Sequence, residues 1–332
     1  MTQAGSALSR ALLGGLGLRA AAPPGQIHLS VTDRCFLPCL HCDIYKNEAE
    51  DLPTSEWLSV LDQLGGWLGT ASVNFVGGEP LLRKDLEQLM GRATQLGFAV
   101  TFNTNGWLLN ATRARGLRDA GASVAYVSLD GARTETVDHS RGRTGSFRKA
   151  LDACDHLDAV GRPRVILSCV LHGKNAAEIP LLLELARSRG YELVVQPLYQ
   201  SFGENAHDPG WWRRSPLWPT SEELPLIDMA LDVLSAERRA AGRVCNSVEQ
   251  LEAFKAYFRG PHLANGQVCK AGHSDLAFDP AGKVRLCYFL EPVGHLHEPL
   301  PEIWNRVRTM RRRHEVSRCQ RSCNLLNCNF KA

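Results

Sequence analysis

The sequence predicts an α/β fold: a mostly parallel sheet followed by a small cysteine-rich C-terminal segment. Two observations lead there. From Gln26 onward, short β-branched runs alternate with stretches of helical hydrophobic period, the pattern of repeated βα units and hence of parallel strands. The 11 cysteines are grouped as well, with Cys35, Cys39 and Cys42 early, five between Cys269 and Cys328, and Cys154, Cys169 and Cys245 between the groups. The composition supports a folded chain. At 332 residues, 44% hydrophobic and 22% charged, it matches average globular usage and excludes disorder, collagen and coiled coil. That length suits about two domains. A formal net charge of +3 names neither nucleic acid nor a membrane surface as a partner.

Taken in order, residues 1–25 read as an N-terminal arm. Its Ala11 to Leu18 run is too short for a membrane span and is broken by glycines. Residues 1–32 hold Arg10 and Arg19 but no acid, a feature of transit peptides, though an arm against the core in a cytoplasmic protein is the favoured reading. Residues 26–205 carry six βα units. Candidate strands are Gln26 to Val31, Ser72 to Val76, Ala99 to Asn103, Ser123 to Ser128, Arg164 to Val170 and Glu192 to Pro197. Amphipathic stretches alternate with them: Ser55 to Leu64, Lys84 to Leu96, Thr112 to Ala120, Ser146 to Val160 and Glu178 to Arg189. Residues 206–262 form a loop and helical linker. A Trp-rich loop, Phe202 to Thr220, precedes helices at Glu222 to Ala241 and Ser247 to Phe258, and its Glu204, His207 and Asp208 are a candidate substrate wall. Residues 263–332 open on a hairpin turning at Asp279 to Gly282, with a second strand ending at Cys287.

The odd cysteine count and tight grouping argue for metal rather than a secreted disulfide framework. Cys35, Cys39 and Cys42 follow the first strand, where the carboxyl edge of a parallel sheet opens onto a ligand crevice. Three thiolates can hold three corners of an iron–sulfur cube and leave one metal position open; with His41 as a fourth ligand, the same residues could bind zinc. Gly77, Gly78 and Glu79, before Pro80, end the second strand. Two glycines allow close backbone approach to a ligand, and a carboxylate suits an ammonium group.

The Cys-x3-Cys-x2-Cys spacing after a strand, together with Gly77 to Pro80, resembles the radical SAM superfamily. Further matches follow in family order: Asn103 to Gly106, Ser128 to Gly131, Arg141 with Gly142, and Gly145 to Phe147. The resemblance implies a partial (β/α)6 TIM-like barrel. It implies a SAM-binding 4Fe-4S cluster on Cys35, Cys39 and Cys42, and S-adenosyl-L-methionine held through its amino group at Gly77, Gly78 and Glu79. Thr104 and Ser128 would face ribose and methionine, and Arg141 would pair with the SAM carboxylate. Reductive cleavage of SAM to a 5'-deoxyadenosyl radical and abstraction of a substrate hydrogen complete the implied activity, with a flavodoxin- or ferredoxin-type electron donor. No catalytic acid or base is assigned.

Cys269, Gly282 and Cys287, then Cys319, Cys323 and Cys328, resemble the auxiliary-cluster domains called SPASM and Twitch. Five cysteines imply one auxiliary 4Fe-4S cluster on four of them, Twitch-like; a zinc ribbon is the alternative. Cys154, Cys169 and Cys245 read as small buried hydrophobes. Arg306, Arg308, Arg311, Arg312, Arg313, Arg318 and Arg321 read as a solvated helix face. The expected function is oxidation or rearrangement of a small natural-product or cofactor precursor, because residues 1–25 are too short for the peptide-binding domain common in peptide-modifying relatives. A radical SAM peptide maturase is the alternative. From another class, a zinc-containing RNA-binding protein would use the arginine run.

Overall fold

The computed structural model describes residues 21–47, 50–161, 163–201, 207–264, 269, 271–327 and 329–330. The Ala11 to Leu18 run, Glu204 and Cys328 lie outside them.

Six parallel strands carry the first two-thirds of the chain. β1 (Gln26–Thr32), β2 (Ser72–Gly77), β3 (Ala99–Thr104), β4 (Ala122–Ser128), β5 (Arg164–Leu171) and β6 (Glu192–Pro197) lie side by side in sequence order. Between them run α1 (Thr54–Trp67), α2 (Leu86–Gln95), α3 (Ala111–Asp119), α4 (Thr134–Arg141), α5 (Ser146–Asp158) and α6 (Ile179–Arg189). This is the partial TIM-like barrel the sequence implies. Alternation along each strand explains the layering. Leu29, Phe75, Phe102 and Val127 are wholly buried, whereas Asn74 and Asn103 on the opposite face of their strands are only partly so. The register pairs His28 with Asn74 and Asn103 with Tyr126, so polar groups share that second face.

Both sheet edges are covered, through pairings the sequence did not reveal. Beyond β6 lie α7 (Leu224–Arg239) and α8 (Val248–Arg259). In the turn between them, Arg243 and Cys245 hydrogen-bond Leu193 like an added strand, and the Asn246 amide bonds both the N–H and the C=O of Val195 at 2.8 Å. One side chain thus satisfies two edge groups that burial would otherwise leave unpaired. At the other edge, β7 (Asp275–Phe278) pairs in parallel with β1, and β8 (Lys283–Arg285) and β9 (Gly294–His295) continue antiparallel to make nine strands. The expected hairpin is present, but its first strand is an extension of the barrel sheet. Its second strand stops at Arg285 rather than Cys287: the Arg285 side chain turns back to Asp279 Oδ2 at 2.7 Å and to the Leu290 carbonyl, and Cys287 enters a loop.

The chain closes with α9 (Leu300–Asn305) and α10 (Val307–Ser317). The arginine run is not a uniform solvated face. Arg313 is 7% exposed, lies 4.0 Å from the Trp304 ring centroid and donates to the carbonyls of Gly272 and Trp304 at 2.7 and 3.0 Å. Cys154 and Cys169 are buried as expected, while Cys245 is partly exposed. Among the described residues no helix is long and apolar enough to cross a membrane.

Candidate functional site

The first cysteine group sits on the loop leaving β1, and neighbouring strand ends hold that loop by its backbone. Gly78 N–H donates to the Thr32 carbonyl at 2.7 Å and Glu79 N–H to the Arg34 carbonyl at 2.9 Å. Leu40 N–H reaches the Ser140 carbonyl at 2.9 Å, and Asp43 N–H reaches Ser201 Oγ at 2.8 Å. Two glycines make the fit possible. A Cβ at Gly78 would lie 2.3 Å from the Arg34 carbonyl oxygen, and one at Gly142, where φ is +67°, would lie 2.4 Å from that of Pro38. The close approach that Gly78 permits is therefore to the chain's own cysteine loop.

Cys35, Cys39 and Cys42 lie within electrostatic reach of one another. Burial pushes the Cys42 thiol up to about 11, with the neighbouring thiols adding to the shift, so ionising this group in the free protein is costly. Metal binding to the thiolates would offset that cost, and three soft sulfur donors beside one guanidinium suit an iron–sulfur unit. Among the described residues no three His, Cys, Asp or Glu side chains converge as ligands of a single ion, so the fit rests on this donor chemistry. His41 does not join the thiols: its charged neighbours are Asp130 and Arg141, and burial lowers its pKa to about 4.

Glu79 is wholly buried. Its Oε1 accepts from Leu81 N–H at 3.1 Å and Thr104 Oγ1 at 2.9 Å, and its Oε2 from Asn105 N–H at 2.7 Å. Desolvation outweighs these bonds and raises its pKa to about 7. A cationic ligand would reverse that balance. The Thr104 hydroxyl is spent on positioning Glu79 and on accepting from Gly106 N–H at 3.0 Å. Ser128 ends β4 opposite Ser168, half-buried.

Arg141 is committed on two sides. Its Nε lies 2.7 Å from Asp130 Oδ2, and the guanidinium also hydrogen-bonds Cys39, which raises its pKa against the effect of burial. Burial would raise the Asp130 carboxyl, but Arg141 and His41 hold it below its ordinary range. Asp130 and Asn105 contact the candidate site residues, and sequence reasoning gave neither a role. Asn105 joins the two halves of the site, its N–H on Glu79 and its Nδ2 3.9 Å from Cys35 Sγ. Both lie inside the strand-end motifs, and that position was the available signal.

The second group assembles from distant elements. Cys269 precedes β7, Cys287 follows β8, Cys319 follows α10, and Cys323 sits in a 3-10 turn, Ser322–Leu325. All four are electrostatic neighbours, and burial raises the Cys269 thiol to about 11. The fifth candidate ligand, Cys328, lies outside the described residues. In the Trp-rich loop, Trp211 and Trp218 stack edge to face at 5.6 Å, Asp208 pairs with Arg214, and His207 packs on Phe289 at 5.7 Å.

Residues 29–186 match the family described as the Radical SAM superfamily. Across 93% of its length the chain is 28% identical to the PqqA peptide cyclase of Rhodopseudomonas palustris, covering 80% of that protein. The Fe-coproporphyrin III synthase of Methanosarcina barkeri is 35% identical, but over only 47% of the chain and 39% of the relative. The fold is similar to that of Streptococcus suis SuiB bound to S-adenosylmethionine, with a TM-score of 0.69 at 15% identity over 91% of the chain and 70% of SuiB. It is also similar to anSMEcpe with bound AdoMet and Cp18Cys peptide, with a TM-score of 0.68 at 16% identity over 92% of the chain and 88% of that protein. Residues 29–186 therefore carry a radical SAM domain, of a family that uses a 4Fe-4S cluster and S-adenosylmethionine and whose SPASM-type members carry auxiliary clusters as well.

Proposed function

We propose that the enzyme modifies a peptide. The observation that carries this reading is the extent of the match to PqqA peptide cyclases: it takes in 93% of the chain, whereas the match to the porphyrin enzyme takes in 47%. The small-molecule expectation, drawn from the shortness of residues 1–25, loses to that likeness.

When bound, the first cluster and SAM supply a 5'-deoxyadenosyl radical able to abstract hydrogen from an unactivated carbon. The chain's own residues bind and orient. Cys35, Cys39 and Cys42 hold the cluster, and Glu79, kept in place by Leu81, Thr104 and Asn105, receives the SAM ammonium beside Gly77 and Gly78. Ser128 borders the ribose side. Arg141, held by Asp130 on one side and contacting Cys39 on the other, receives the SAM carboxylate. Four of Cys269, Cys287, Cys319, Cys323 and Cys328 would hold the auxiliary cluster, which would supply an outlet for an electron. A flavodoxin- or ferredoxin-type protein would supply electrons to the first cluster.

Anaerobically reconstituted protein, given SAM, dithionite and any short peptide encoded beside its gene, is expected to yield a peptide altered in mass together with 5'-deoxyadenosine. Unchanged peptides, alongside turnover of a small molecule, would contradict the reading.

A further inference from the structure

Helix α4, which ends on Arg141, is held at its start by a side chain from another element. Glu178 stands between β5 and α6 and is 6% exposed. It is the residue at which α6 begins, yet its carboxylate makes no capping hydrogen bond to that helix. It reaches the entrance of α4 instead: Oε2 accepts from the N–H groups of Ala132 and Arg133 at 2.9 and 3.0 Å, and Oε1 accepts from the Thr136 hydroxyl. Arg133 leads into α4 without a capping bond from its own side chain, so the carboxylate supplies an anchor that the local sequence lacks. Gly131 makes room for it, since a Cβ there would lie 2.8 Å from Glu178 Oε2. At its other end α4 meets the site. The Ser140 carbonyl accepts from Leu40 N–H in the cysteine loop, and Arg141 Nε lies 2.7 Å from Asp130 Oδ2. The same turn after β5 steadies Asp130 as well: Asn175 Nδ2 donates to its carbonyl at 2.7 Å.

We propose that Glu178 is a positioning residue for S-adenosylmethionine: by fixing the start of α4 it holds Arg141 where the ligand's carboxylate can reach it. The inference rests on the reading of Arg141 as the group that meets that carboxylate. The eight residues of α4 make about two turns and about 12 Å of helix, too little to be stable alone, so its placement depends on its anchors. A shift at the start of so short a helix is carried to Arg141 at its end. The anchor is firm because Glu178 is buried. Its charge has little water to fall back on and relies on the three donors at the entrance of α4.

The test measures equilibrium binding of S-adenosylmethionine to the anaerobically reconstituted protein, with iron content and melting temperature recorded for each variant. Glu178→Ala is expected to weaken binding by about tenfold with the iron retained. Glu178→Gln, whose amide oxygen still accepts from both N–H groups, is expected to keep wild-type affinity. Thr136→Val removes one donor with little change of shape and is expected to give a smaller loss, which keeps the test open should Glu178→Ala not fold. Two comparisons separate positioning from general support. In the Arg141→Ala background, Glu178→Ala and Thr136→Val are expected to cause no further loss. Decarboxylated S-adenosylmethionine, which keeps the ammonium but offers Arg141 no carboxylate, is expected to bind Glu178→Ala and wild type alike. Wild-type affinity in both Glu178→Ala and Thr136→Val, or equal losses with and without Arg141 or for both ligands, would overturn the inference while leaving the reading of Arg141 intact; unaltered affinity in Arg141→Ala itself would overturn both.

Discussion

The two thiol groups are built in opposite ways. Cys35, Cys39 and Cys42 share one loop, clamped by backbone hydrogen bonds from the ends of neighbouring elements, with Gly78 and Gly142 admitting the contact. The C-terminal four come from a hairpin, a helix end and a 3-10 turn, and what brings them together is tertiary packing. β7 seats the hairpin on β1, and Arg313 ties Gly272 to Trp304. A loop clamped by the barrel's own segments can keep its geometry when the tail is disturbed. The converse protection is weaker, because β7 borrows its partner strand from the barrel.

The largest expected effect comes from removing each group in turn. Replacing Cys35, Cys39 and Cys42 by Ala is expected to abolish SAM cleavage and to remove half the bound iron, read by iron analysis and 5'-deoxyadenosine formation. Cys269→Ala with Cys287→Ala is expected to remove the other half and the oxidised product, while slow SAM cleavage without substrate persists. Loss of cleavage in that variant too would show that the two sites are not independent.

Arg313→Ala sharpens the contrast through stability. Two buried carbonyls lose their donor and the Trp304 contact is lost, which is expected to cost about 2–4 kcal/mol. Denaturation curves should show that loss, and iron loss should be confined to the C-terminal group. Equal loss from both groups would erase the distinction drawn between them.

Glu79 gives the next effect, in the free protein. Its carboxyl loses its proton near 4.5 when unfolded and near 7 when folded, so the folded state binds the proton more tightly and stability falls as pH rises through that window. The full loss, about 3 kcal/mol by the usual conversion, is present above pH 7. Melting temperature against pH should show the decline in wild type and not in Glu79→Gln. SAM should bind more tightly as pH rises through 7, because its ammonium favours the ionised carboxylate; affinity independent of pH would remove Glu79 from the ammonium site. Glu79→Ala and Arg141→Ala are each expected to weaken SAM binding by about 1.5–3 kcal/mol with the cluster retained.

The same contrast explains what the sequence could reveal. Strand bounds such as Glu192–Pro197 were legible because β-branched alternation and flanking turn residues are local signals. The first thiol loop was legible for the same reason. Pairing of β7 with β1 was not, since a four-residue strand carries no mark of its distant partner. Asn246 looked like an ordinary loop residue, and only the β6 edge gives its amide a task. Arg313 was read with its neighbours as solvated, because nothing in a run of arginines distinguishes the one that a tryptophan covers. At the proposed SAM site, Asp130 was given no role because its partner, Arg141, reaches it from the following helix.

The central claim is that one chain holds two iron–sulfur clusters, of which only the barrel-loop cluster meets SAM. Paramagnetic resonance of the dithionite-reduced protein, with and without SAM, tests it most directly. Two 4Fe-4S signals are expected, one shifting when SAM is added and absent from the Cys35, Cys39 and Cys42 variant, the other unmoved by SAM and absent from the Cys269 and Cys287 variant. A single signal, or two that both ignore SAM, would contradict the account.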